Sequence, residues 1–249
     1  MAKYKSLFEV EGTLGEVTFY KAEDGQYMRR KGGVNRNRIL NDPNYARTRE
    51  NLSEFGAAAT SGKTIRRAIN SLMIDAKDSR VTSRLTKVMN QVKNEDLASA
   101  RGERNVVAGL ANPAGIALLK GFNFNRKSTL DSVLAAQYVL DIASGEIVIA
   151  DFIPNQQLSL PEGATHVTLT AAFLNLDLTT EIADLQFSNS VNLPINGIAT
   201  TVALTPAAPA TGTGHSYYFL KVAFFQNING IQYPLKNGSY NALQLIELQ

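Results

Sequence analysis

From about Tyr45 to about residue 120 the apolar residues of this chain recur at spacings of three and four, and from about Phe122 onward they alternate. Helix-period segments followed by strand-period segments, with no interleaving, point to an α+β fold. The charge changes sign at nearly the same place. Residues 1–130 hold 23 Lys+Arg against 13 Asp+Glu, a net of +10, while residues 131–249 hold 2 against 9, a net of −7. The overall +3 conceals a dipole along the chain. With 249 residues, 44% apolar and 19% charged, the chain can bury a core without staples and is unlike a disordered polymer. The pattern predicts a β-hairpin arm over residues 1–33, a basic helical region over 34–120 and an acidic antiparallel β-sandwich, immunoglobulin-like, over 121–249.

Within the arm, Glu16 to Lys21 and Gln26 to Lys31 read as two strands joined through Ala22-Glu23-Asp24-Gly25, whose Asp-Gly pair suits positive φ in a tight turn. Gly12, Gly15, Gly32 and Gly33 bracket the pair and set it apart as a ribbon. A lone hairpin is marginal in water, so it must lie on the rest of the protein or on a neighbour. Asp42-Pro43 is a helix start signal, and Tyr45, Thr48, Leu52, Phe55 and Ala59 then share one helical face. Ile65, Ala68, Ile69, Leu72 and Met73 resume the period, so the expectation is either one long helix or two with a joint near Ser61-Gly62. After Asp78-Ser79 a stripe of Val81, Leu85, Val88, Met89 and Val92 predicts another helix, with Arg80, Arg84, Lys87 and Lys93 facing solvent or a partner. A shorter apolar piece, Ile116 to Leu119, closes this region.

Beyond it, about eight strand-like runs follow without helices between them: 138–142, 146–152, 165–173, 182–187, 198–204, 217–225, 231–235 and 243–248. Turn chemistry at Pro161-Glu162-Gly163, Asn196-Gly197, Asn229-Gly230 and Asn237-Gly238 separates several of them. Thr205 to Gly214, with neither charge nor large apolar residues, reads as an exposed mobile loop.

Few chemistries survive inspection. The absence of cysteine excludes disulfides, Cys-based zinc sites and a cysteine nucleophile. His166 and His215 lie 49 positions apart outside any H-E-x-x-H pattern, and no G-x-S-x-G elbow accompanies His215 and Ser216. The string from Gly56 to Gly62-Lys63-Thr64 ends like a phosphate-binding loop but has five residues between its glycines where that loop needs four. Asp177, Glu181 and Asp184 cluster without calcium-loop spacing and read as a solvated acidic edge. No cofactor or metal is expected. The longest nearly apolar stretch, Val106 to Leu119, is broken by Asn112-Pro113 and is shorter than the ~20 residues of a membrane helix. The N-terminus carries Lys3, Lys5, Glu9 and Glu11 and lacks the apolar run of a signal peptide, so the expectation is a protein cytoplasmic as synthesised, with release or incorporation into a larger particle left open.

Gly12-Thr-Leu-Gly15-Glu-Val-Thr-Phe19-Tyr20-Lys21, Arg30-Lys-Gly-Gly33, Asn41-Asp-Pro43, Arg47-Thr-Arg49-Glu-Asn51 and Ser53-Glu-Phe-Gly56 resemble the motifs of an uncharacterised family common in Bacteroidota genomes. Gln232-Tyr-Pro-Leu-Lys-Asn-Gly238 with Tyr240-Asn241-Ala242-Leu243 is similar to that family's ending. The resemblance implies a basic ribbon-plus-helix N-terminal part and a β-rich C-terminal part. It implies no activity, and no functional residue transfers.

What remains is a role in assembly. The expectation is a non-enzymatic structural subunit that joins copies of itself head-to-tail into a filament, tube or shell. Tyr20, Tyr27, Arg29, Arg30, Lys31, Arg36 and Arg38 are the candidate contacts to the next subunit or to a polyanion. The alternative is a nucleic-acid-binding protein using the basic helical half, whose thirteen arginines before residue 130 are interspersed with Tyr20, Tyr27, Tyr45 and Phe55.

Overall fold

A computed structural model describes residues 2–3 and 10–249; Lys5 and Glu9 of the charged N-terminus lie outside the described residues. The chain divides into two compact units, residues 1–49 and 50–249.

In the first unit, strands β1 (Ala2–Lys3), β2 (Gly12–Leu14), β3 (Val17–Ala22) and β4 (Gly25–Arg30) form one antiparallel sheet in the order β1-β4-β3-β2. The expected hairpin is present, but it forms the middle of this sheet rather than a separate ribbon. Gly12 to Leu14 fold back onto Phe19 to Val17, and Lys3 pairs with Tyr27 on the other side. The hairpin turn is tighter than expected, with Ala22 opposite Gly25 and only Glu23-Asp24 between them. Gly25 takes φ 144°, which a side chain would resist. A short helix α1 (Arg36–Asn41) follows, capped by the Asn35 side chain accepting from the Asn37 N–H. Arg49 donates to the carbonyls of Ile39 and Asp42, satisfying acceptors at its C-terminal end. No described residue from Val10 to Arg49 is buried.

Asp42-Pro43 opens a 3₁₀ turn, Pro43–Tyr45, and helix α2 (Ala46–Ala68) then runs unbroken through Gly56 and Gly62. Of the two arrangements expected, one long helix or two joined near Ser61-Gly62, the structure has the helix continuous through that point. The buried face is also not the one expected. Leu52 and Phe55 are exposed, while Glu54, Ala58, Gly62, Ile65 and then Ile69 turn inward at spacings of three and four. Two partners account for this rotation. The Glu54 carboxylate is paired with Lys93 and accepts from the Gly102 N–H, so it is buried with compensation. Gly62 has no side chain where Leu85 and Met89 approach; a Cβ there would lie 3.3 Å from Met89 Cγ.

Helices α3 (Asn70–Met73), α4 (Val81–Asn94), α5 (Val106–Leu110) and α6 (Pro113–Leu119) complete the helical layer. The predicted stripe of α4 is buried at Val81, Leu85, Met89 and Val92. Arg84 and Lys93, expected to face solvent or a partner, hold the helical layer together within the chain. Arg84 pairs with Asp78 and donates to the carbonyls of Asn123 and Phe124, and Lys93 pairs with Glu54.

After α7 (Leu130–Val133) come β5 (Val139–Leu140), β6 (Ile147–Phe152), the short helix α8 (Pro154–Gln157) and seven further strands. These are β7 (His166–Leu176), β8 (Ala183–Phe187), β9 (Val191–Pro194), β10 (Thr200–Leu204), β11 (His215–Ile228), β12 (Ile231–Pro234) and β13 (Ala242–Leu248). The sequence pattern anticipates each of them except β9. A six-stranded antiparallel sheet is built on the long β11–β7 pair, with β12 and β13 on the outer side of β11 and β8 and β9 on the outer side of β7. A three-stranded sheet has the order β10-β6-β5.

The α+β class expected from the sequence is therefore present, with antiparallel sheets. The large sheet is covered on both faces. Alternate residues such as Tyr217, Phe219, Leu174 and Leu245 join the core beneath the helices, whereas Tyr218, Leu220, Phe173 and Ile246 join a second core against the three-stranded sheet. Each fully buried Leu or Phe contributes roughly 1.5–3 kcal/mol. This explains why β11 reads as an almost continuous apolar run. Its exception, Lys221, is paired with Asp75. The loop expected to be exposed and mobile is mostly exposed, and near its end Thr211 donates to Asp184 while Gly214 and Asn175 exchange two hydrogen bonds. Among the described residues, no helix is long and apolar enough to cross a membrane.

Candidate assembly surface

Directly opposed residues of an antiparallel pair share a face, so pairing alone sorts the side chains of the first unit's sheet. Lys3, Thr13, Thr18, Tyr20, Tyr27 and Arg29 fall on one face; Leu14, Val17, Phe19, Met28 and Arg30 fall on the other. On the first face Tyr20 and Tyr27 stack with ring centroids 5.8 Å apart and planes at 21°. Cations flank the pair. Arg29 lies 5.7 Å from the Tyr20 ring and Lys3 lies 5.5 Å from the Tyr27 ring, within cation–π range. Tyr27 donates to Asp24 at 2.6 Å, which holds that carboxylate below its ordinary range and raises the phenol.

The structure thus brings together three of the seven candidate residues, Tyr20, Tyr27 and Arg29, and adds Lys3. Arg30 lies on the opposite face, bound through Nε and Nη2 to Glu16 at 3.0 and 2.7 Å. Lys31 follows the end of β4, where its N–H bonds the Glu16 carbonyl. Arg36 and Arg38 lie on α1, where Arg38 pairs with Asp42 at 3.2 Å and sits 5.9 Å from the Tyr45 ring. The dense basic run of the sequence is therefore spread over two faces of a sheet and a helix. Lys3 was missed because it is distant in sequence, although its register opposite Tyr27 follows once a strand precedes the hairpin.

The other motifs have structural employment. The residues from Gly56 to Thr64 lie inside α2, so their N–H groups are not arranged as a phosphate cradle. Asp177 caps its own turn through the N–H groups of Thr179 and Thr180, Asp184 receives Thr211, and Glu181 accepts from Thr64. His166 Nδ1 lies 3.0 Å from the Thr165 hydroxyl, and His215 Nδ1 lies 3.2 Å from the Gln249 carbonyl. Among the described residues no group of three or more His, Cys, Asp or Glu is placed to hold a metal ion. No family model, no curated protein and no solved structure matches the chain.

Proposed function

We propose that this chain is a non-enzymatic structural subunit that assembles with copies of itself through the sheet of its first unit. The observation carrying this reading is that a four-stranded sheet and a helix occupy residues 2–49 without burying one described side chain from Val10 to Arg49. Small sheets need an apolar face packed on something to be stable. The stacked Tyr20–Tyr27 pair with Lys3 and Arg29 offers two large rings and fixed positive charge, a combination favoured at protein contacts. The acidic balance of residues 131–249 supplies the complementary sign, and a contact between unlike surfaces propagates into rings or filaments. In this reading the paired sheets of the second unit are an immunoglobulin-like sandwich, the chain belongs to the Bacteroidota family its motifs resemble, and it works in the cytoplasm or within a larger particle.

The test is sedimentation velocity on the purified protein at rising concentration and low salt, with negative-stain images of the same samples. Growing species that dissociate in high salt, and that Tyr20→Ser with Tyr27→Ser abolishes, are expected. A protein that stays monomeric throughout overturns the reading.

A further inference from the structure

The cations of the second unit fall into two groups. Lys93, Arg84, Arg101, Lys120 and Lys221 each pair with a carboxylate. Most of the others line two grooves and have no ion-pair partner among the described residues. One groove, of about 440 Å³, has Arg66, Arg67 and Lys77 in its walls. The next, of about 650 Å³, has Arg80, Lys87, Arg126 and Lys127. Asp78 and Ser79 line both grooves, so they are continuous at the N-terminal end of α4. The one carboxylate there is already engaged: Asp78 accepts from Arg84 and from the N–H groups of Arg80 and Arg126. The Nε of Arg66 is buried and has no acceptor.

The second groove runs on into a third of different character. Ser83 and Lys87 line both, and the third groove, of about 570 Å³, adds Phe55, Asn90, Gln91 and Asn94 between α2 and α4. Phe55 is 54% exposed. Arg80 at the start of α4 and Lys87 lie seven positions apart, which sets their charges about 10 Å apart along the helix, with Arg84 between them held by Asp78. Unpaired charge therefore leads to an exposed ring beside three side-chain amides.

We infer that this continuous track along α4 binds single-stranded nucleic acid. Cations following a backbone with an aromatic ring for base stacking are the two components such binding requires, and amides can meet base edges. An acidic protein segment would use the charges but has no planar base for Phe55. A duplex keeps its bases stacked inside and would forgo the same ring.

Fluorescence anisotropy with a labelled oligothymidylate of about thirty nucleotides tests this at protein concentrations where the chain is monomeric. With about five phosphates neutralised, affinity should fall roughly 100-fold between 50 and 200 mM salt. Arg80→Glu with Lys87→Glu should cost more than about tenfold and flatten that dependence, two contacts having been reversed. Phe55→Ala, at an exposed position, should cost about tenfold with the salt dependence unchanged. Circular dichroism confirms that both variants fold. Absence of binding at 50 mM salt overturns the inference. So does a duplex or polyglutamate bound as tightly as the oligothymidylate, or a Phe55→Ala variant bound with parent affinity.

Discussion

The two units solve the same problem in opposite ways. The second places an antiparallel sheet between helices on one side and a smaller sheet on the other, and buried polar groups such as the Asn125 amide find partners distant in sequence. The first forms its sheet from strands of two to six residues and keeps every described side chain from Val10 onward at least partly accessible. Both units pair their strands in antiparallel register. Burial is what separates them, and because net stability is a small remainder between large opposing terms, burial decides which unit is self-sufficient. A sequence can thus specify local geometry fully while leaving its energetic completion to another surface.

The largest effect that would break this contrast lies where helices of the second unit touch without side chains. A Cβ at Gly109 would sit 2.1 Å from the Val92 carbonyl oxygen, so Gly109→Ala should cost more than about 4 kcal/mol or prevent folding, read by urea denaturation. Lys93→Met comes next. It strands the Glu54 carboxylate, whose ionised form Lys93 stabilises above all, and should cost about 3–5 kcal/mol; adding Glu54→Leu should recover most of the loss.

Acidification should act on the same unit. Burial pushes Asp96 upward, but hydrogen bonds from Ser99, Asn105 and Ala98 outweigh it and hold the group at about 2. A carboxylate whose folded pKa lies below its unfolded value contributes stability that is complete above the unfolded pKa and disappears as pH falls through the folded one. The thermal midpoint should therefore drop between pH of about 4 and about 2, and Asp96→Asn should blunt that drop. Gly56→Ala, on an open face of α2 with nothing within 4 Å, should stabilise by about 0.8 kcal/mol. The smallest effect on unfolding belongs to the first unit. Tyr20→Ser with Tyr27→Ser should move the main urea transition by less than about 0.5 kcal/mol, and a larger shift would show that the sheet contributes to the second unit's stability.

Legibility followed how local each signal was. The hairpin, the stripe of α4 and all but one of the strands beyond residue 138 were readable because period and turn residues lie within a dozen positions. The inward face of α2 was not. Apolarity favours Leu52 and Phe55, yet Glu54 and Gly62 face inward because Lys93, Leu85 and Met89 await them from another helix. Sequence patterns treat a carboxylate as outward and a glycine as a breaker, and both rules fail when a partner more than twenty residues away satisfies the exception. The candidate surface behaved alike. The Tyr20–Tyr27 pair was foreseeable from hairpin register, while Lys3 depended on a strand of two residues that no periodicity reveals. The track beside α4 escaped for the converse reason: its cations come from three separate segments, and which of them lack a carboxylate depends on tertiary placement.

One consequence of the doubly covered sheet concerns time rather than energy. A ribosome delivers α4 before it delivers β11 and β13, which form the surface that α4 and its neighbours finally rest on. At about 5–20 residues per second, the interval between Met89 and Leu245 is on the order of ten seconds or more. During that interval the helical layer lacks the sheet that completes its core, and cotranslational folding of the second unit cannot be completed. Synthesis should therefore pass through a period in which apolar surface of that layer stays uncovered, ending only when β13 emerges.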